Sequence, residues 1–130
     1  MVPTPGKYQY VRDNFPDFLM KKGVPADKIK AYKPPLSLKI DIEGEKYTIT
    51  KTFDEGTHTM QYVVGQQVED HWPGLVLKSL PKLDKNVLII ESRDEKGVIR
   101  TRNYSFVKDG VEVTLKSPDG LEGKTFFEKV

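Results

Sequence analysis

Across positions 36–43 apolar and polar side chains alternate without a break. Leu36, Leu38, Ile40 and Ile42 share one face; Ser37, Lys39, Asp41 and Glu43 share the other. A period of two places alternate side chains on opposite faces of an extended chain, so the segment predicts a strand wet on one side and apolar on the other. The rhythm resumes after Gly44, where Tyr47, Ile49 and Phe53 oppose Thr48, Thr50 and Thr52. Further strand-like runs lie at 58–64, 66–70, 75–80, 86–92, 97–106, 111–116 and 121–128, with a first at 7–11. Between them stand Gly56, Gly65, Pro73-Gly74, Asp84-Lys85-Asn86, Gly97, Asp109-Gly110 and Asp119-Gly120. Asp-Gly between two strands predicts a tight hairpin, because both turn positions can require positive φ. About ten short, closely spaced strands predict an antiparallel meander. Twist accumulates in so long a sheet and its edges invite pairing, so a closed or nearly closed barrel is expected.

One segment departs from this rhythm. Asp13 or Asn14 can cap a helix, Pro16 falls in its first turn, and Phe15, Phe18 and Leu19 lie on one helical face. Gly23 is placed to end that helix in a left-handed conformation. Pro25 opens a second helix with Ile29 and Tyr32 on one side, and Lys33-Pro34-Pro35 stops it.

Composition narrows the function. The 130 residues suit one domain, 1–130, with no second domain or internal repeat. A net charge of +2 argues against a dedicated nucleic-acid binder. No apolar run reaches membrane length, and the amino terminus lacks a basic region followed by an apolar stretch. The chain has no cysteine, which excludes disulfides and thiolate chemistry and favours a cytoplasmic location. His58 and His71 are its only histidines, neither in a metal-ligand spacing or a nucleophile motif. No glycine-rich phosphate loop occurs. Neither an enzyme, nor a cofactor, nor a metal is expected.

The order of the pieces resembles the intracellular lipid-binding family, which includes the fatty-acid-binding and cellular retinoid-binding proteins. The residues that carry the likeness are Gly6-Lys7-Tyr8, Asp13-Asn14-Phe15, the helical pair ending at Lys33-Pro34, Val64-Gly65-Gln66-Gln67-Val68-Glu69, and the closing Phe127-Glu128-Lys129-Val130. The likeness spans essentially the whole chain. It implies an all-β fold: a ten-stranded antiparallel up-and-down barrel of calycin type, capped by a short helix-turn-helix. It further implies a non-enzymatic carrier with a partly hydrated interior. Family ligands are fatty acids, retinoids or bile acids. Many members place an Arg and a Tyr two residues apart on the last strand to hold a ligand carboxylate. Here those positions read Thr125 and Phe127, so that half of the usual anchor is absent.

Strand parity offers a replacement. In 97–106 one face carries Val98, Arg100, Arg102, Tyr104 and Phe106, the other Ile99, Thr101, Asn103 and Ser105. The first holds more large apolar groups and is expected to face inward, taking both arginines with it. By the resemblance, either Arg102 or Tyr104 aligns with a family Arg that contacts the ligand head group. An unpaired guanidinium in a dry core is costly, and a ligand carboxylate would supply a bidentate partner. The alternative is that both arginines face solvent. Lys51 interrupts the apolar row of Tyr47, Ile49 and Phe53; it either reaches a ligand head group or marks a bulge or solvated strand end. Tyr8, Tyr10, Met60, Tyr62 and Val64 are candidate lining or core. Phe15, Phe18, Leu19, Ile29 and Phe53 are candidates for the entrance, closing apolar surface over a ligand. Lys21, Lys22, Lys28, Lys30 and Lys33 gather near the helices, where they suit transient contact with anionic membranes. The expected partner is a fatty acid or other hydrophobic small molecule, bound by a monomer. A barrel that presents its surface to a protein partner is the competing class.

Overall fold

Ten strands and two short helices follow one another along the chain: β1 Gly6–Asp13, α1 Phe15–Lys21, α2 Ala26–Ala31, β2 Ser37–Glu43, β3 Lys46–Phe53, β4 Gly56–Val63, β5 Val68–Trp72, β6 Leu75–Asp84, β7 Val87–Arg93, β8 Ile99–Val107, β9 Gly110–Lys116 and β10 Glu122–Lys129. The computed structural model describes residues 3–72, 75–97 and 99–130; the expected turn at Pro73-Gly74 and Val98 lie outside them. The strands form one antiparallel sheet in the order β4-β3-β2-β1-β10-β9-β8-β7-β6-β5. β1 pairs with both β2 and β10, which turns the meander back on itself into a nearly closed barrel. β4 and β5 stand at the two ends of that order, with no ladder between them among the described residues. None of the described helices is long and apolar enough to cross a membrane.

The alternating pattern decides which residues point inward. Leu38 and Ile40 of β2, Tyr47 and Ile49 of β3, and Tyr104 and Phe106 of β8 are all buried. Leu36 does not follow them. It precedes the strand, is 50% exposed, and contributes only its backbone, donating to the Thr52 carbonyl at 2.7 Å. The end of the barrel away from the helices is filled: Tyr8 meets Phe106 edge-on at 6.3 Å, among Ile40, Tyr47, Leu88 and Val111.

Three local expectations change. Asp13 or Asn14 was expected as a side-chain cap; Asn14 holds the N-cap position but neither side chain makes a capping bond, Asp13 accepting instead from the Tyr32 hydroxyl at 3.3 Å. Asn14 Oδ1 accepts from the Lys124 amide at 2.6 Å, and the Asn14 backbone amide donates to the Lys124 carbonyl at 3.0 Å, riveting the start of α1 to β10. The run expected at 75–80 is longer: β6 passes through Pro81 to Asp84. The β5 pairing stops at Val68 opposite Ser79, so Pro81 faces no ladder on that side, where its missing N–H costs nothing. Its carbonyl accepts from Gly65 at 2.9 Å. Asp109-Gly110 does not form the turn itself: Val107 pairs with Gly110, leaving Lys108-Asp109 between the strands. By contrast, Gly23 adopts φ +83° as expected. Its amide reaches Met20 and that of Val24 reaches Leu19, each at 3.0 Å, the double bond of a Schellman stop.

Candidate functional site

A cavity of about 230 Å3 occupies the helix-capped half of the barrel. Leu38, Lys51, Phe53, Arg102, Tyr104, Val113, Leu115, Thr125 and Phe127 form its walls, and Phe15, Tyr32, Lys33 and Pro35 close it from the helical side. Strand parity explains the assembly. Leu38 stands opposite Lys51, and Tyr104 opposite Val113, so each wall is a set of cross-strand neighbours pointing the same way.

The helices are seated by their aromatic residues. Phe15 stacks on Tyr32 at 5.5 Å and meets Phe18 edge-on at 5.5 Å. Both phenylalanines lie over Gly123 of β10, where an added Cβ would come within 3.0–3.1 Å of their ring atoms. Phe15 therefore lines the cavity, whereas Phe18 is buried against the barrel rim. Leu19 and Ile29 are half-buried and stand off the cavity wall.

The polar part of the wall is built around Arg102. Its inward orientation matches the parity expectation, but its partner is internal. Arg102 Nη2 donates to Tyr62 Oη at 2.6 Å and lies 3.5 Å from Asp70 Oδ2. Tyr62 Oη donates to the same Oδ2 at 2.8 Å, and Ser79 Oγ at 3.2 Å. Ser79 is in turn 2.7 Å from the Ser92 hydroxyl. This chain of bonds joins β4 to β5 across the unpaired seam and continues through β6 and β7. The Arg102 guanidinium also lies 5.8 Å from the Tyr62 ring and 5.7 Å from the Tyr104 ring, over their negative faces. Burial opposes its charge, but Tyr104, Tyr62 and Asp70 together outweigh that and hold it above its usual value. Arg102 is thus permanently charged and already has a carboxylate.

Two groups on the same wall lack such partners. The Tyr104 hydroxyl is fully buried and makes no hydrogen bond. Burial raises its pKa, so it stays a neutral donor. Lys51 lies in a regular ladder, opposite Leu38 on one side and an exposed His58 on the other, so no bulge accounts for it. It forms no ion pair or hydrogen bond among the described residues. Burial, and after it the Arg102 charge, pulls its ammonium down to about 7, with Asp70 opposing.

The remaining expected residues fall elsewhere. Arg100 shares the inward parity but sits one step nearer the rim, where Nη1 pairs at 3.5 Å with Asp94 of the β7–β8 turn. It does not line the cavity. Met60 packs half-buried against the core, and Tyr62 is buried in the Arg102 network. Thr125 and Phe127 do line the wall, as the last-strand positions should. Asp70, Ser79 and Ser92 were not singled out from the sequence. Their signal is a polar residue at an inward-facing position of an otherwise apolar row, as in Leu77-x-Ser79 and Leu88-x-Ile90-x-Ser92.

Comparisons with known proteins agree with this architecture. No family model matches the chain. Fatty acid-binding protein 2 of Manduca sexta is 31% identical over 110 residues, covering 82% of this chain and 81% of that protein. Among solved structures, Echinococcus granulosus fatty-acid-binding protein 1 superposes with a TM-score of 0.79 at 18% identity, covering 97% of this chain and 96% of that one. The fatty-acid-binding protein isolated from Manduca sexta gives 0.74 at 24%, covering 95% and 97%. Human cRBP IV gives 0.80 at 18% over 100% of both chains. At these identities the structural matches speak for the fold.

Proposed function

Because this chain belongs to the fatty-acid-binding protein family, we propose that it carries a fatty acid or similar amphipathic molecule, with the acyl chain in the helix-capped cavity and the polar head at Lys51, Tyr104 and Arg102. The observation that supports the reading is the character of the wall. It is mostly apolar, with its polar side chains gathered chiefly at Lys51, Arg102 and Tyr104, and the fully buried Tyr104 hydroxyl makes no hydrogen bond within the protein. An unsatisfied buried hydroxyl costs about 1–3 kcal/mol, which a ligand oxygen would relieve. The reading involves no covalent step and so describes a carrier rather than an enzyme; a cytoplasmic monomer is part of the same proposal.

The volume sets a size preference. About 230 Å3 is below the ~300–1,000 Å3 usual for small-molecule sites. A medium-chain acid fits with little rearrangement. A long acyl chain displaces Phe15, Tyr32 or Phe53 at the helical side. Organic extraction of natively purified protein tests the class: a stoichiometric fatty acid supports it, a retinoid or bile acid redirects it. An empty protein that refuses all three but captures a protein partner would replace it. Tyr104→Phe is expected to weaken decanoate binding about 10–100-fold, the worth of one hydrogen bond to a charged group, without lowering the urea midpoint. Unchanged affinity would remove Tyr104 from the head-group site.

Ligand delivery at a membrane is part of the same proposal. Lys21, Lys28 and Lys30 are exposed on α1 and α2. Lys22 and Lys33 are drawn into pairs with Asp119 at 3.0 Å and Asp54 at 3.7 Å. Transfer to anionic vesicles should slow as salt rises, and slow at low salt when Lys21, Lys28 and Lys30 are replaced by Gln. Transfer rates indifferent to both changes would refute membrane contact by this face.

A further inference from the structure

The charges inside the barrel do not suit an anion as they stand. Arg102, the strongest cation on the cavity wall, is matched by Asp70 at 3.5 Å, and the pair together contributes no net charge. Lys33 stands at the helical side and is exposed, paired with Asp54. Lys51 is the remaining cation on the wall among the described residues; it forms no ion pair there, and Asp70 reaches it only through its charge, which Arg102 already neutralises. A carboxylate entering this chamber therefore meets a neutral ion pair, a tyrosine hydroxyl and one amine.

We propose that the cavity takes up an anionic carboxylate ligand together with a proton, and that Lys51 is the residue that receives the proton. The inference rests on the carrier reading above and deepens it by naming what controls the affinity. In the empty barrel, burial and the neighbouring Arg102 charge make the ammonium unfavourable, and its pKa falls to about 7. A bound carboxylate places an opposite charge beside it, which restores the charged form. Linkage then requires that binding draw in a proton wherever the empty cavity has lost it. The groups facing Lys51 from the surrounding elements are His58 on β4, Arg102 and Tyr104 on β8, Asp70 on β5, and Tyr32 and Lys33 between α2 and β2. Of these only His58 belongs to a residue type that ordinarily changes charge near neutrality, so it is the control position.

The sign is definite. Below about pH 7 the empty cavity already holds the cation and affinity is flat. Above it, affinity for the anion falls about tenfold per pH unit until the lysine of the complex also deprotonates. Decanoate is a suitable probe, because a carboxylic acid near ~4 stays ionised throughout this range. Decanol is the neutral control. Titration calorimetry of the intact protein should show decanoate affinity falling about 20–50-fold from pH 7 to 9, with decanol affinity unchanged. At pH 7.5, decanoate binding in buffers of different ionisation enthalpy should take up about three-quarters of a proton. Lys51→Met should abolish both the slope and the uptake, Lys51→Arg should bind with no slope, and His58→Gln should leave both in place.

A second readout needs no ligand. Between about pH 7 and ~10.4 the unfolded chain keeps the Lys51 proton and the folded chain does not, so folding stability rises with pH across that window. The wild type should accordingly be least stable relative to Lys51→Met below pH 7 and approach it near pH 10. If decanoate binds with equal affinity at pH 7 and 9, or proton uptake survives in Lys51→Met, the coupling is wrong while the carrier reading stands. If neither decanoate nor decanol binds, both fall.

Discussion

Asp70→Ala is expected to destabilise the protein by about 3–5 kcal/mol, the usual consequence of stripping one partner from a buried ion pair. Three donors converge on Asp70 Oδ2: the Tyr62 hydroxyl, the Ser79 hydroxyl and the Arg102 guanidinium. Removing the carboxylate takes from the buried Arg102 the anion at 3.5 Å and from the Tyr62 hydroxyl its acceptor, while Ser79 keeps only Ser92 at 2.7 Å. It also cuts the side-chain link from β4 to β5, which stand at opposite ends of the sheet order. Urea unfolding should therefore show a lower midpoint, and hydrogen exchange should accelerate first in β4 and β5. Asp70→Asn should cost less, because an amide oxygen still accepts. The double variant Asp70→Leu/Arg102→Met should recover much of the loss, since a well-packed apolar pair often replaces a buried ion pair at little cost. A double variant no more stable than Asp70→Ala would show that the ladder and the seam, rather than the uncompensated charge, dominate.

The second large effect concerns a glycine whose role the hairpin pattern misassigns. Gly110→Ala is expected to cost about 3 kcal/mol or more, beyond the usual cost of overpacking. An added Cβ would stand 2.0 Å from the Phe127 carbonyl oxygen, 3.0 Å from its carbon and 3.1 Å from Glu128 Cα. All three are backbone atoms, so no rotamer change relieves the clash and β9 must separate from β10. That pair carries Val113 on one strand and Thr125 and Phe127 on the other into the cavity wall, so ligand affinity should fall with stability. Gly123→Ala is the informative contrast. There the Cβ meets only the rings of Phe15 and Phe18, which can shift with α1. Its effect should be about 1 kcal/mol, seen mainly as faster exchange in α1. Equal unfolding midpoints for Gly110→Ala and the wild type would mean that β9 and β10 are free to part at no cost.

These two cases mark where local reading succeeds and where it stops. The ten strands follow from alternation in segments such as 36–43, because side-chain parity along an extended chain is a property of neighbours in sequence. The helix stop at Gly23 is equally local: its positive φ and the Schellman bonds involve residues within five of one another. Parity also carried Arg102, Tyr104 and Phe106 inward together. It did not say that Gly110 is required for closeness to β10 rather than for a turn, since Phe127 is its neighbour only through the β9–β10 ladder.

For the cavity, the sequence alone determined which residues share a face: Arg102 with Tyr104 and Phe106, Lys51 with Tyr47 and Ile49, Thr125 with Phe127. Only the tertiary structure decided which of those groups are already satisfied. Arg102 finds Asp70, 32 residues away, while Lys51 and Tyr104 find nothing comparable. The reason is geometric. Alternation says which side of a strand a residue occupies, but the partner across the barrel depends on the register of every ladder between them and on where the circle closes.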